Sequence, residues 1–298
     1  MGVMIHAIKR TLIFLHLKFI EIISLVVFRF PALRRRFWTK QYNKNAEMFN
    51  DDYIFMNLGY ARLEADEKAP EELSQIDRFS EKLYRHVIGD TTIQGKDVLE
   101  VGCGRGGGSL YIMRQFHPKR FTAVDIAQRA IDRCKAVHNM SGIHFQQADA
   151  MALPFPEKSF DAVINIESSH CYPSRKRFFT EVARVLRPGG LFLYADLISF
   201  FADNLTVGHV HTLLNNSGLT IIRAQDITKN VVKSRDLLTQ SGLFEEAMYT
   251  WLNDEFKPYS SVIIPITKNG YYLKGTAPYR CLQAGMIAYW SWILQKPE

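Results

Sequence analysis

Three acidic side chains stand near the ends of three short apolar segments, at a spacing that could hold a small polar ligand. Glu100 lies in the first segment, while Asp125 and Asp149 end the second and the third. A carboxylate at the tip of a strand can accept hydrogen bonds from the hydroxyls of a ribose. Each aspartate alone could be an ordinary loop carboxylate or a helix cap. Three acidic strand ends in register instead predict a ligand site at one edge of a sheet.

A glycine-rich loop follows Glu100, with glycines at positions 102, 104, 106, 107 and 108. The residues before the loop, 97–101, are typical of a buried strand, and residues 110–116 have apolar positions at helical spacing. Strand, glycine loop and helix predict the opening turn of a nucleotide-binding βαβ unit, where a backbone without Cβ atoms lets a ligand lie close. A loop of this kind could also serve tight packing alone, and its spacing differs from that of dinucleotide-binding proteins.

The pattern Glu-x-Gly-x-Gly-x-Gly at 100–106 resembles the first motif of class I S-adenosylmethionine-dependent methyltransferases. The resemblance implies that the loop lies against the methionine part of this cofactor and that Glu100 helps to hold its amino end. It further implies that Asp125 binds the ribose and that Asp149 contacts the adenine amino group. The candidate cofactor-binding residues are Glu100, Gly102, Cys103, Gly104, Asp125, Ile126, Asp149, Ala150 and Glu167.

Two further residues could carry out acid–base chemistry at the same edge. His170 follows the fourth predicted strand and Asp196 ends the fifth, and neighbouring parallel strands bring such tips together. Histidine has a suitable pKa for a general base, and a carboxylate can fix its tautomer and stabilise the imidazolium. In the rebeccamycin-type sugar O-methyltransferases, which this chain resembles, a matching histidine and aspartate have these roles. The alternatives are a loop histidine that caps a helix and a turn carboxylate.

Apolar strand patterns alternate with helical ones from residue 97 to residue 224, which predicts a parallel sheet covered by helices on both faces. The family resemblance adds an antiparallel seventh strand, which residues 286–294 would supply. The predicted fold class is therefore α/β, a Rossmann-like seven-stranded methyltransferase sheet. We expect a methyltransferase domain at 46–298, with a core at 95–225 and lid segments at 46–94 and 226–280.

Residues 1–45 form a basic, apolar arm with nine basic residues and one acidic residue, a net charge of +8. The rest of the chain carries 28 basic and 29 acidic residues, and this neutral body argues against a nucleic-acid partner. Between Thr11 and Phe28, 13 of 18 residues are Leu, Ile, Val or Phe, but Lys18 and Glu21 interrupt the run. We expect a hydrophobic N-terminal helix lying in a membrane surface through residues 1–38, on a cytoplasmic protein. A packing arm, a signal peptide and a transit peptide are the alternatives.

Four cysteines without close pairing or metal-ligand spacing fit a reducing compartment and predict no metal site. Several later stretches, including residues 167–173, 184–190 and 233–238, resemble the mycobacterial phthiotriolone dimethylcocerosate O-methyltransferases. The resemblance implies O-methylation of a hydroxyl on a lipophilic small molecule of lipid or polyketide type. A C-methyltransferase of the sterol or quinone type is the nearest alternative. A nicotinamide-dependent dehydrogenase and a non-catalytic cofactor-binding membrane protein are more distant ones, and the sequence leaves the oligomeric state open.

Overall fold

The computed structural model describes residues 30–64, 66–138, 141–199 and 205–298. Over these residues, seven strands form one sheet in the order β3-β2-β1-β4-β5-β7-β6. The strands are β1 Asp97–Val101, β2 Arg120–Asp125, β3 Ile143–Gln147, β4 Phe160–Ile166, β5 Leu186–Ser199, β6 Thr220–Asp226 and β7 Ile287–Gln295. Strands β1 to β5 pair in parallel, whereas β7 is antiparallel to both β5 and β6. The predicted seven-stranded methyltransferase sheet, including its antiparallel last strand, is confirmed.

Helices cover the two faces of this sheet and its carboxyl edge. They are α1 Pro31–Met48, α2 Arg78–Ile88, α3 Gly107–Phe116, α4 Gln128–Val137, α5 Arg175–Val185, α6 Val207–Asn215, α7 Thr228–Ser241, α8 Leu243–Trp251, α9 Ser260–Gly270 and α10 Ala277–Gln283. The buried side chains divide into one apolar cluster on each face of the sheet. Strand β1 is buried along its whole length, as expected for a parallel strand covered on both faces.

Some element ends differ from the predictions. Strand β3 ends at Gln147, so Asp149 and Ala150 lie in the loop after it rather than on the strand. Strand β5 begins at Leu186, because the Arg-Pro-Gly-Gly sequence at 187–190 continues the sheet. There Gly189 N donates to Lys296 O and Lys296 N donates to Gly190 O, both at 2.9 Å.

A third apolar cluster joins α1, the loop after it, α8 and α9 beyond the carboxyl edge of the sheet. Met48 and Phe49 from the end of α1 pack there with Phe244 and Trp251 of α8. The expected boundary between residues 45 and 46 falls inside α1, so the basic arm and the body share a continuous helix. Residues 1–29, which carry the apolar run of the arm, lie outside the described residues.

Candidate active site

The glycine loop passes close to the end of β4, and this closeness requires a glycine at position 102. Gly102 has a φ of +79°, and a Cβ atom there would stand 2.1 Å from Ser168 Oγ. The amides of Gly102 and Cys103 both donate to Val124 O, at 2.8 and 3.0 Å. Any larger residue at 102 would therefore meet both an unfavourable backbone conformation and the loop after β4.

The side chain of Glu100 bonds residues on either side of the glycine loop and does not line the cavity described below. Its carboxylate is buried and accepts hydrogen bonds from Tyr84 Oη at 2.9 Å and from Ser109 Oγ. Burial raises the pKa of this carboxyl to about 7, although both hydroxyl donors oppose the shift. Because Ser109 belongs to the first turn of α3, Glu100 ties strand β1 to that helix. Since Glu100 does not line the cavity, its support of the amino end of the cofactor would pass through the loop backbone or water, as the family resemblance implies.

Asp125 is the last residue of β2 and lines the cavity described below. Its Oδ2 accepts from Gly104 N at 3.0 Å and its Oδ1 accepts from Ala127 N at 2.9 Å. Burial raises the pKa of Asp125, and these amide donors oppose the rise. The carboxylate is thereby held in one orientation between the glycine loop and the start of α4, which is where a ribose diol would be recognised.

Asp149 and Ala150 also lie at this end of the site. Asp149 Oδ1 accepts from Met151 N at 2.9 Å, while its Oδ2 forms an ion pair with Arg35 of α1 at 3.1 Å. The sequence offered no sign of this partner, because Arg35 is 114 positions earlier and belongs to the arm that was expected to contact a membrane.

A cavity of about 930 Å³ extends along the carboxyl edge of the sheet. One part is lined by the loops after β1, β2 and β3 and by Glu167 at the end of β4, and it includes all the expected cofactor residues except Glu100. The other part is largely apolar, formed by α9, α10 and the ends of β5 and β7. Its lining includes Leu197, Ile263, Ile266, Tyr271, Tyr272, Ala277, Pro278 and Ile287. A cavity with one polar and one apolar part is suited to a polar cofactor and a lipophilic partner side by side.

His170 and Asp196 meet between these two parts. His170 Nδ1 lies 2.7 Å from Asp196 Oδ1, and the backbone N–H of His170 donates to Asp196 Oδ2 at 2.9 Å. With Nδ1–H donating to the carboxylate, Nε2 is the ring nitrogen that can accept a proton. Burial alone would lower the pKa of the imidazole, but Cys171 and Asp196 raise it well above its usual value. His170 lines the cavity, so the pair that the sequence predicted has the geometry of a base and its orienting carboxylate.

Two residues that sequence reasoning missed complete the surroundings of Asp196. Ser169 Oγ donates to Asp196 Oδ2, and the buried guanidinium of Arg175 lies 3.7 Å from the same oxygen. Although burial opposes ionisation, His170, Arg175 and Ser169 together hold the pKa of Asp196 below its usual value. One signal was present in the sequence: an arginine at the first position of a helix is unfavourable to the helix dipole, so Arg175 needed another role.

Glu167 lies at the cavity end of β4 in a left-handed conformation, with a φ of +52°. Its Oε2 accepts from Leu58 N and from Tyr289 Oη, each at 2.8 Å. Burial raises the pKa of Glu167 to about 7 against these two donors. A strained backbone at a cavity wall is the kind of feature that marks functional sites.

Helix α1 forms one wall of the cavity. Arg34 Nη1 donates to Tyr172 O at 3.0 Å, Tyr42 Oη lies 3.4 Å from Cys171 Sγ, and Trp38 lines the cavity. The side chains of Arg34 and Trp38 therefore face the protein. The arginines that stay largely exposed on this helix are Arg35 and Arg36.

Comparisons with known proteins show which family has this sequence. Residues 99–194 match a family model described as a methyltransferase domain. The chain is 41% identical over 195 residues to a phthiotriol/phenolphthiotriol dimycocerosates methyltransferase of Mycobacterium tuberculosis, covering 63% of this chain and 72% of the relative. The chain belongs to the S-adenosylmethionine-dependent methyltransferases.

Two further relatives extend this comparison. A fatty-acid O-methyltransferase of Mycolicibacterium smegmatis is 47% identical over 152 residues, a match that spans 49% of this chain and only 54% of the relative. The solved structure of a geranyl diphosphate C-methyltransferase from Streptomyces coelicolor A3(2), in complex with S-adenosyl-L-homocysteine, superposes with a TM-score of 0.61. It is 14% identical and covers 87% of this chain and 98% of that one, so it supports the fold alone.

The polar part of the cavity fits S-adenosylmethionine. Asp125 offers a fixed carboxylate for the ribose, and Gly102 and Gly104 line the cavity on the side where the methionine part is expected. Both hydrogen bonds of the Glu167 carboxylate fall on Oε2, and Oε1 has no hydrogen-bond partner over the described residues. Oε1 could therefore accept a hydrogen bond from the amino group of the cofactor. No group of three or more histidine, cysteine, aspartate or glutamate side chains that could hold a metal ion occurs in the described part of the chain.

We expect replacement of Asp125 by Ala to weaken cofactor binding by roughly 10- to 100-fold, because hydrogen bonds to a charged group contribute about 1.5–3 kcal/mol. Isothermal titration calorimetry with S-adenosyl-L-homocysteine measures this affinity. Asp132→Ala, at an exposed position on the neighbouring helix α4, is the matched control and should bind normally. Unchanged affinity in Asp125→Ala, or preferred binding of NADH by the unmodified protein, contradicts the assignment.

Proposed function

We propose that the protein transfers a methyl group from S-adenosylmethionine to a hydroxyl oxygen of a lipophilic small molecule. The observation that carries this proposal is the 2.7 Å contact between His170 Nδ1 and Asp196 Oδ1, at the junction of the polar and apolar parts of the cavity. A base at this junction stands where the acceptor oxygen and the transferable methyl group would meet. The printed names of the relatives, a fatty-acid O-methyltransferase and phthiotriol methyltransferases, support a lipophilic acceptor.

The chain's own residues supply positioning and proton transfer. When bound, S-adenosylmethionine would supply a methyl group on a positively charged sulfur, and the carbon–sulfur bond would break with both electrons left on the sulfur. His170 Nε2 accepts the proton that the acceptor hydroxyl loses. Asp196 keeps Nδ1 protonated, holds the ring in place and stabilises the imidazolium that forms. The apolar walls exclude water and align the acceptor chain, which lowers the entropic part of the barrier.

Methyl transfer to a lipid extract tests this function. The purified protein is incubated with methyl-deuterated S-adenosylmethionine and a lipid extract, and products are compared by mass spectrometry with a reaction that lacks protein. We expect new lipids that are heavier by one deuterated methyl group. A protein that binds S-adenosyl-L-homocysteine but labels no lipophilic molecule does not have the proposed function.

We further propose that the N-terminal arm holds the enzyme on an anionic membrane surface on its cytoplasmic side. Over the described residues, no helix combines the length and the hydropathy needed to cross a membrane. At the start of α1, however, Phe30 and Leu33 are 54% and 49% exposed, close to the exposed Arg36. Stable peripheral attachment needs both apolar area and a basic patch, and apolar residues beside basic ones supply the two together. The apolar run at 11–28 would add to the apolar area.

Removal of residues 2–29, which removes the apolar run but leaves α1 with Leu33 and Arg36 intact, should strongly weaken membrane binding. In co-sedimentation with phosphatidylglycerol vesicles, the full-length protein should bind strongly at low salt and weakly at high salt, and the shortened protein should bind much more weakly at low salt. Phosphatidylcholine vesicles are the matched control, and affinity for S-adenosyl-L-homocysteine confirms that the shortened protein is folded. Full-length protein that ignores anionic vesicles at low salt, or a shortened protein that binds equally well, contradicts this location.

A further inference from the structure

Tyr272 adopts a backbone conformation that tyrosine seldom takes. It follows the carboxyl end of α9 with a φ of +52°, and its N–H donates to Asn269 O at 3.1 Å. A left-handed residue just after a helix is a common way to end it, but the position is usually glycine or asparagine. A tyrosine there is unfavourable to the backbone, so its side chain is the feature that needs an explanation.

The side chain of Tyr272 lines the apolar part of the cavity, and its hydroxyl has no hydrogen-bond partner among the described residues. Its neighbours differ in this respect. Tyr271 Oη donates to Phe55 O at 3.1 Å, and Tyr289 Oη donates to Glu167 Oε2 at 2.8 Å. A partly buried hydroxyl without a protein partner, on a residue that lines a cavity, is open to a ligand.

Tyr272 shares the cavity with one member of the proposed catalytic pair. It lines the same cavity as Glu167, His170 and Cys171, and the charge of Asp196, which bonds His170, also acts on its phenol. Burial raises the pKa of the Tyr272 phenol, with Glu167 adding to the rise, so the group stays protonated at neutral pH. A neutral phenol can donate one hydrogen bond, as a hydroxyl acceptor requires.

We propose that Tyr272 is an acceptor-binding residue, whose hydroxyl donates a hydrogen bond to the oxygen that becomes methylated. This inference rests on the proposed function. An alcohol oxygen carries one proton and two lone pairs. His170 Nε2 accepts the proton, Tyr272 Oη–H donates to one lone pair, and the second lone pair is left to take up the methyl group, whose bond to sulfur would break with both electrons left on the sulfur. The two side chains thus fix the direction in which the attacking lone pair points.

Tyr272→Phe removes this donor and keeps the ring, so the apolar wall is preserved. With 1-dodecanol as the probe acceptor, we expect kcat/KM to fall by roughly 5- to 20-fold, in line with the loss of one buried hydrogen bond. The affinity for S-adenosyl-L-homocysteine and the melting temperature should not change. Tyr249→Phe, at an exposed position on α8, is the matched control and should behave as the unmodified enzyme.

A second variant separates the backbone from the side chain. Tyr272→Gly suits the left-handed conformation, so it should fold at least as well as the unmodified protein and still lose methylation of 1-dodecanol. If Tyr272→Phe keeps normal kcat/KM for 1-dodecanol, Tyr272 serves only the packing of the helix end and the inference is overturned. If the unmodified enzyme binds S-adenosyl-L-homocysteine but methylates no lipophilic alcohol, the proposed function fails and this inference falls with it.

Discussion

Replacement of His170 by Ala lowers the turnover number by roughly 10²- to 10⁴-fold, the usual loss when a general base is removed. The reason is that the acceptor proton then has no positioned group to receive it, while the cavity and the cofactor residues stay in place. Steady-state kinetics with a lipophilic alcohol measures turnover, and calorimetry with S-adenosyl-L-homocysteine should show nearly unchanged affinity.

His144→Ala is the matched control, because His144 is exposed on strand β3 and lies outside the cavity. This variant should retain full activity. Near-normal turnover in His170→Ala at neutral pH contradicts the role of a base, since alignment alone would then carry the reaction. A loss of cofactor affinity equal to the loss of turnover would instead indicate that His170 supports the binding site.

Asp196→Asn lowers turnover on a comparable scale, roughly 10²-fold or more, and also shifts the pH dependence. The active form of His170 is the neutral imidazole, so kcat/KM of the unmodified enzyme should rise with pH through the raised pKa of His170. The Asp196 carboxylate stabilises the imidazolium and thereby contributes to that rise in pKa. Asparagine carries no charge, so the pKa of His170 falls and the acidic limb of the profile moves to lower pH.

The direction of this shift separates an orienting carboxylate from a structural one. Asp90→Asn, at an exposed turn, is the matched control and should leave the pH profile in place. Because Asp196 is fully buried and also binds Ser169, the melting temperature of Asp196→Asn is measured alongside. An acidic limb that stays at the same pH, or moves to higher pH, contradicts the pairing of Asp196 with the base.

The parts of the fold that follow from local sequence were predictable. Parallel strands buried on both faces are continuous apolar runs, so β1 could be located at residues 97–101 and the end of β2 at Asp125. The polar residues at their tips then had to meet at one edge of the sheet. That reasoning brought Asp125 and the pair of His170 with Asp196 to the correct place without any knowledge of tertiary contacts.

The parts that depend on distant contacts were not predictable. Glu100 fits the family motif, but only the structure shows that Tyr84 and Ser109 donate hydrogen bonds to its carboxylate. The ion pair of Arg35 with Asp149 joins two segments that share no sequence pattern, and the high charge of the arm suggested a membrane instead. The unpaired hydroxyl of Tyr272 depends on the exact end of a helix, which sequence patterns locate least well.

The position of the transferred methyl group tests the account most directly. The enzyme is incubated with methyl-deuterated S-adenosylmethionine and 1-dodecanol, and the product is treated with hydriodic acid, which cleaves methyl ethers but leaves carbon–carbon bonds intact. We predict a deuterated methyl ether that releases its whole label as methyl iodide, and that forms at a greatly reduced rate in His170→Ala. Label that remains on the carbon chain, or a product that forms equally fast in His170→Ala, contradicts O-methylation by a histidine–aspartate pair.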